Sequence, residues 1–243
     1  MSTFTHHHVS CLACRAPFEI DLIKSMHITR LPEVRADIVE GRSQRFACPS
    51  CGHQHDVVNR TIYTDFSQQQ YIAVEPALPP DWREARALHE RIFDECFTFG
   101  PPVAEELGLG MRRRLVFGFD ALREKVRLWD ADLDDRVVEW LKGVHQEELG
   151  LSPIDELWRL STVLPGGHLM FARVTPPPMV RPDEELLKRS ELLGHYTVPR
   201  DDYERGLRDA ARASQDFPWL ADDWCVDLFA TAPRPERDGQ TPG

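Results

Sequence analysis

The chain has 243 residues and a formal net charge of −11, with 29 Lys and Arg against 40 Asp and Glu. Hydrophobic residues make up 42% of the chain and include six Trp, which is enough for a buried core in one large or two small domains. No apolar run approaches the roughly 20 residues that a spanning helix needs, so the sequence excludes helical membrane spans.

The first ten residues carry no apolar stretch of the kind found in secretory signal peptides. They contain the run His6, His7 and His8, which can bind stray metal but is expected to be solvated in a flexible start. Because nothing marks the chain as secreted, its cysteines are expected to be reduced. We therefore predict a cytoplasmic protein.

Two cysteine pairs follow, each with two residues between its members and with 33 residues between the pairs. The four residues are Cys11, Cys14, Cys48 and Cys51. Four thiolates grouped in this way can surround one tetrahedral Zn²⁺ ion. In the second pair Pro49 presets φ for the turn and Gly52 tolerates a positive φ, whereas Leu12 and Arg15 replace them in the first. The spacing predicts a structural zinc site.

Other interpretations of the cysteines stay open at this point: unrelated reduced thiols, a redox-active pair, or disulfides. A catalytic zinc keeps an open position for water, and four cysteines close the shell. His53 and His55 either replace a cysteine or are ordinary residues of the strand that leaves the site. Of the remaining cysteines, Cys96 lies on an apolar helical stripe and is predicted to be buried, and Cys225 lies in a similarly apolar stretch.

Around the pairs, the pattern predicts a small sheet with one helix. Alternating apolar residues predict a strand over 15–31, and a second strand returns over 43–48. A Pro near the start and a Gly just past the end delimit a short helix over 32–40. Segments 55–66 and 70–75 predict a hairpin. A domain this small buries little surface, so the metal would supply much of its folding free energy.

A proline-rich break over residues 76–80 predicts a domain boundary. Beyond it we expect a helix from Asp81 to about Phe97 and a short strand over 115–119. Asp120 is expected to cap the next helix, and a further helix carries an apolar stripe that begins at Leu133.

The rest of the chain combines a hairpin and helices. Segment 155–174 predicts a hairpin with a Pro-Gly-Gly turn, although a capping box would instead make 153–160 helical. Helices are predicted over 183–193 and 200–213, and an apolar segment over 217–229 closes the body.

These elements predict an α+β protein: an N-terminal zinc-ribbon-like small β-sheet with one helix over 1–76, a mixed helical and β-hairpin domain over 77–231, and a disordered tail over 232–243. Residues 1–76 hold 7 basic and 8 acidic side chains, while the remainder holds 22 and 32. The second domain is therefore strongly acidic.

Residues 9–76, from "VSCLACRAPFEI" through "FACPSCGHQHDVV" to "YTDFSQQQYIAVEP", resemble the CpXC family of bacterial zinc-ribbon-like domains. A weaker similarity continues to residue 142 through "LVFGFDALREKVRLWDADLDDRVVEWLK". The resemblance implies metal ligation by the four paired cysteines. The chain departs from the pattern at Leu12 and Arg15, which puts the geometry of the first turn in question. The family assigns no catalytic residue and no general activity.

Our first functional hypothesis is a non-catalytic accessory protein that binds or presents a peptide or protein partner. A small sheet leaves edge strands, and an edge pairs with an extended peptide through main-chain hydrogen bonds. Tyr63, Phe66 and Tyr71 either anchor such a peptide or complete the core of the domain itself. An acidic body favours basic partners, and edge strands with amphipathic helices leave room for a homodimer.

Two alternatives belong to other classes. A transcription-associated regulator would contact nucleic acid or RNA polymerase, but binding to phosphates relies on a basic surface, and the dense basic triplet at 112–114 is expected only to flank a strand. An enzyme would place its site within 77–230, where His145, His168 and His195 are scattered and no familiar catalytic motif occurs. The acidic run at 132–135 is expected to open a helix rather than to bind metal.

Overall fold

The computed structural model describes residues 3–79, 81–176, 186–187, 191–209 and 215–232. Eleven strands are found in these ranges: β1 (Thr3–Ser10), β2 (Pro17–His27), β3 (Arg45–Ala47), β4 (Gln54–Val57), β5 (Thr61–Asp65), β6 (Gln70–Glu75), β7 (Arg112–Phe117), β8 (Leu157–Val163), β9 (Leu169–Val174), β10 (Leu186–Leu187) and β11 (Leu192–Val198). They form a five-stranded sheet in the order β1-β2-β5-β6-β7 and two three-stranded sheets, β10-β4-β3 and β11-β9-β8.

The five-stranded sheet is mixed. Strands β1 and β2 pair antiparallel with His7 opposite Ile20, β2 runs parallel to β5, and β5 and β6 form an antiparallel hairpin. Strand β7 joins parallel to β6, with Ala73 opposite Leu115. The predicted strand over 15–31 is β2, but the expectation of a flexible start is wrong, because the residues from Thr3 onward form β1.

The predicted hairpin arm over 55–66 divides into two strands. Strand β4 pairs antiparallel with β3, whereas β5 lies in the five-stranded sheet. The chain changes sheets over residues 58–60, where the side chain of Asn59 donates to the carbonyl of Ile23 at 2.9 Å. Periodicity alone does not show a change of sheet, because both strands carry the same type of pattern.

The longer helices are α1 (Pro32–Glu40), α2 (Trp82–Phe93), α3 (Pro102–Gly108), α4 (Phe119–Asp130), α5 (Asp135–Glu148) and α6 (Arg200–Arg208). Helix α1 has the predicted bounds and ends at Gly41, which adopts a φ of 73°. The side chain of Asp81 caps α2, as predicted, and a π-helical turn continues that helix over Asp94–Thr98. Asp120 does not cap α4, because Gly118 occupies that position.

The third sheet confirms the predicted hairpin, formed by β8 and β9, and excludes the alternative helix over 153–160. The predicted helix over 183–193 is wrong, because β10 and β11 occupy four of its five described residues. Strand β11 pairs along β9, with Tyr196 opposite Phe171. Of the predicted tail over 232–243, everything after Ala232 lies outside the described residues.

A large core of buried side chains joins the two halves of the chain. It packs Met26 and Tyr63 of the five-stranded sheet with Leu122 of α4, Val137 of α5 and Phe171 of β9. The predicted α+β class is confirmed. The predicted boundary falls between β6 and α2, yet β7 returns to pair with β6, so the division of the chain there stays a prediction. Within the described ranges, no helix combines the length and apolarity needed to cross a bilayer.

Candidate metal centre

Each cysteine pair lies in a tight turn that joins two antiparallel strands, β1 to β2 and β3 to β4. In the second turn the amide of Gly52 donates to the carbonyl of Cys48 at 2.8 Å, and the amide of Cys48 donates to the carbonyl of His53 at 2.9 Å. The first turn repeats both bonds: Arg15 donates to Cys11 at 2.9 Å, and Cys11 donates to the carbonyl of Ala16 at 2.9 Å.

The first turn has this geometry without a glycine. Arg15 adopts a φ of 64°, close to the 73° of Gly52. A side chain in this left-handed region costs about 1–2 kcal/mol, which the rest of the turn must offset. The departure from the family pattern at Arg15 therefore leaves the backbone geometry of the turn intact.

The two turns bring their four sulfurs together. The Sγ atoms of Cys11 and Cys51 lie 3.6 Å apart, and those of Cys14 and Cys48 lie 3.7 Å apart, so each close pair joins the two turns. All four sulfurs lie within 4.8 Å of one another. Sulfurs bound at about 2.3 Å to one tetrahedral ion are separated by about 3.8 Å. A disulfide requires about 2.05 Å, and the four thiols are free.

The cluster is half enclosed. Cys11 and Cys48 are each 1% exposed, whereas Cys14 and Cys51 face solvent. A small apolar cluster of Val9, Ile20, Leu22 and Val57 lies beneath it. The packing under this end of the sheet is therefore slight compared with the main core, and a bound metal can supply much of the folding free energy of a region that buries so little surface.

The pKa values of two of the thiols shift in opposite directions. Burial raises the pKa of Cys11, but hydrogen bonds from the Cys14 amide and the His55 ring outweigh it and lower the pKa to about 5. The His53 amide lowers the pKa of Cys51, but the neighbouring sulfurs raise it to about 12. One thiolate thus forms readily while its neighbour stays protonated. Two neighbouring thiolates repel each other. A divalent cation bound between the sulfurs would offset this repulsion and allow all four thiols to ionise.

His55 supports the cluster without being one of its members. The Nε2 atom of this buried ring lies 3.3 Å from Sγ of Cys11, and the ring packs near Phe18 and His53. Because a thiolate only accepts hydrogen bonds, Nε2 must carry the proton and donate it. Such a contact orients a metal ligand and stabilises its charge. The four cysteines form the cluster by themselves, so neither histidine replaces a cysteine.

The other candidate residues do not form a site together. Cys96 is exposed rather than buried, whereas Cys225 is buried and its pKa is raised well above the ordinary value by burial. His145 lies in α5, His168 accepts a hydrogen bond from the Arg200 amide at 3.2 Å, and His195 lies on β11. Neither metal-binding cluster found among the described residues includes one of these histidines. None of them lines the cavity of about 380 Å³ between β4 and α4.

The acidic run opens a helix, as predicted. The side chain of Asp134 accepts hydrogen bonds from the amides of Arg136 and Val137 at the start of α5. Asp135 instead forms a buried ion pair with Arg114, with Nε and Oδ2 2.7 Å apart.

A cluster of buried charges between α4, α5, β8 and the C-terminal segment is absent from the sequence predictions. Its members are Arg114, Glu124, Lys125, Asp135, Glu139, Lys142, Arg159 and Asp227. Four cations face four anions within it. One sequence feature could have predicted this cluster: Lys125, Glu139 and Lys142 lie on the buried faces of the two helices for which apolar stripes are predicted.

Comparison with known proteins supports one assignment. Searches of the curated proteins and of the solved structures each find no match to this chain. The sequence model of the CpXC protein family matches residues 9–142, which is more than half of the chain and includes both cysteine turns, β7 and most of α5. Together with the four clustered sulfurs, this match shows that the chain belongs to the CpXC family.

Proposed function

We propose that this protein is a non-catalytic accessory protein in which a structural Zn²⁺ ion holds the two cysteine turns together and strand β1 binds an extended peptide. Zinc is the ion proposed because four thiolates at tetrahedral spacing are the donor set that it prefers in structural sites. Cys11, Cys14, Cys48 and Cys51 would hold it. The ion supplies cohesion between the turns, and the protein surface does the binding.

The open edge of β1 carries the peptide-binding proposal. This strand has eight residues, lies at the end of the five-stranded sheet and pairs only with β2 among the described residues. An extended peptide can use the outward amides and carbonyls of such an edge, with alternate side chains setting specificity.

Two other sheet edges are closed by this chain itself. At β7, the amide of Leu115 donates to the carbonyl of Trp224 at 2.7 Å. At β8, the amide of Leu160 donates to the Glu124 carboxylate at 2.6 Å, and Arg127 donates to the carbonyl of Ser161 at 2.8 Å. The contrast supports a binding role for β1, because proteins usually cover or block an edge that has no partner.

The anchors for a peptide differ from those first considered. Tyr63 and Tyr71 are 0% and 2% exposed, and Phe66 packs in the cluster around Tyr71, so these rings complete the core. Phe4 in β1 and Leu12 in the first cysteine turn are 53% and 56% exposed. They offer apolar contacts at the two ends of the edge strand.

The charge distribution supports a peptide with basic residues more than a nucleic acid. The net charge is −11. Within the basic triplet, Arg114 is buried against Asp135, Arg112 stacks on Trp129, and Arg113 lies over Phe93 and Trp224. The buried Arg114 is therefore not available to phosphates, and the other two guanidinium groups stack on aromatic rings of the chain itself.

Site-specific photocrosslinking tests the peptide proposal. A photoreactive phenylalanine analogue replaces Phe4 in one variant and Phe99, which is 78% exposed, in a matched control. We expect a discrete peptide or protein to be captured from host lysate at position 4 and not at position 99. A synthetic copy of the captured segment should then slow hydrogen exchange of the β1 amides. Equal capture at both positions, or no protection of β1, would contradict the proposal.

A further inference from the structure

A second group of metal-ligating side chains lies on the exposed face of the β1–β2 ribbon. His6 and His8 are two residues apart in β1, so their side chains point to the same face. In the register of the two strands, His8 is opposite Glu19 and His6 is opposite Asp21. The two rings and the Glu19 carboxylate therefore meet above the ribbon. They offer nitrogen and oxygen ligand atoms, unlike the four sulfurs of the cysteine turns.

The separations within this group fit a shared cation. Nε2 of His6 lies 3.1 Å from Oε2 of Glu19, and Nδ1 of His8 lies 3.3 Å from Oε1 of Glu19. Ligand atoms that bind one ion at about 2.0–2.1 Å are separated by about 2.8–3.4 Å, depending on whether the angle is octahedral or tetrahedral. One ligand atom from each residue lies within 4.8 Å of the other two.

Asp21 gives His6 the orientation that a metal ligand needs. Its Oδ1 atom lies 2.9 Å from Nδ1 of His6, on the side of the ring opposite to Glu19. When Asp21 accepts the Nδ1 proton, Nε2 is the nitrogen that can bind a cation in place of its contact with Glu19. This arrangement of carboxylate, histidine and metal recurs in zinc proteins. Side chains that were only solvated would not require a carboxylate to orient the His6 ring.

We propose that His6, His8 and Glu19 form a second Zn²⁺ site, of the open type with two imidazoles, one carboxylate and solvent. All three side chains are more than half exposed, so the ion exchanges readily with solution and binds more weakly than at the four cysteines. The site is independent of the proposed peptide-binding role of β1.

The matched control is His7. It belongs to the same histidine run, but its side chain points to the other face of β1, where Nε2 lies 3.1 Å from Oγ1 of Thr5. If the histidine run bound Zn²⁺ without a defined geometry, substitution of any one of the three histidines would lower the affinity. If His6 and His8 form a defined site, only their substitution lowers the Zn²⁺ affinity, and substitution of His7 does not.

The experiment is calorimetric titration of untagged protein with Zn²⁺ after its tight zinc has been loaded. We expect one further equivalent to bind, His6→Ala and His8→Ala each to weaken it at least 10-fold, and Asp21→Asn to weaken it about 10-fold. His7→Ala should leave it unchanged. The ring signals of His6 and His8 should shift in NMR spectra as zinc is added. Absence of a second equivalent, or equal losses in His6→Ala and His7→Ala, would overturn the proposal.

Discussion

Two regions of this molecule bring charges together, and they balance those charges differently. At the cysteine turns, four sulfurs converge beside the ring of His55, in an arrangement that could hold a cation from solution. In the part of the chain after residue 81, called the body here, four basic and four acidic side chains are buried together and neutralise one another. Under the proposed function, the first region depends on a bound metal for folding, whereas the second is held by ion pairs within the chain.

The buried cluster of the body also completes the backbone hydrogen bonding. The Glu124 carboxylate contacts Lys142 at 2.8 Å and Arg159 at 3.0 Å, and it accepts the Leu160 amide of β8. Glu139 contacts Lys142 at 2.7 Å and accepts the amide of Leu228. These carboxylates therefore join two helices to a sheet edge and to the C-terminal segment, a task that apolar side chains could not perform.

Removal of the metal should separate the two regions most strongly. A metal of this type contributes about 10–16 kcal/mol to the folding of small zinc domains. We expect a strong chelator to abolish the slow hydrogen exchange of residues 9–22 and 45–57. All six Trp lie after residue 81, so Trp fluorescence reports on the body alone and should change little. A cooperative loss of both signals would show that the regions fold as one unit.

Loss of one buried cation should be the largest effect of a single substitution in the body. Lys142→Ala removes the cation that contacts both Glu124 and Glu139, leaving Arg159 at 3.0 Å from Glu124 and Lys125 at 3.5 Å from Glu139, and breaking such a buried pair costs about 3–5 kcal/mol. Urea unfolding of the zinc-loaded protein measures this difference. The control is Arg205→Ala, which removes an exposed ion pair with Asp202 and should cost less than about 1 kcal/mol. Similar values for the two variants would contradict a structural role for the buried cluster.

Acid should weaken the body through Asp135. Burial raises the pKa of this carboxyl, but the Lys125 charge and the hydrogen bonds from Arg114 outweigh it and lower the pKa far below the ordinary value. A lowered pKa stabilises the fold above the unfolded-state value of about 3.9, and this contribution is lost as the pH falls further. We expect the Trp-monitored free energy of unfolding to fall by about 2–3 kcal/mol from this group below pH 4. Asp135→Asn should flatten that pH dependence, and an unchanged slope would exclude the assignment.

The histidine beside the sulfurs should have a smaller effect. His55→Ala removes the hydrogen bond to Cys11 and should weaken the tight metal site about 10–100-fold, as measured by competition with a chromogenic chelator. His53→Ala is the matched control, since His53 is exposed and forms no part of the sulfur cluster. Equal affinities in the two variants would show that the His55 contact does not support the site.

The difference between the regions also explains what the sequence could predict. The cysteine turns depend on short spacings, and the spacing alone predicts the cluster that Cys11, Cys14, Cys48 and Cys51 form. Helix α1 is equally local, with Pro32 at its start and Gly41 at its end. Both features follow from residues that are neighbours along the chain.

The remaining features depend on contacts that are remote in sequence. Arg159 and Asp227 are 68 residues apart and meet only after β8 and the C-terminal segment have packed on α4. The polar strand β1 is defined by its pairing with β2, and its own composition suggested a solvated start. Cys96 lies on a helical stripe, but the chain turns away from the core there, so periodicity alone placed it wrongly.

X-ray absorption spectroscopy at the zinc edge tests the central claim most directly. It should be measured on untagged protein after dialysis against a weak chelator, which removes loosely bound ions. We predict one zinc per chain with four sulfur neighbours at about 2.3 Å, and loss of that zinc in Cys48→Ser. A folded protein that retains no stoichiometric metal, or whose metal has nitrogen or oxygen in place of the sulfurs, would contradict the account.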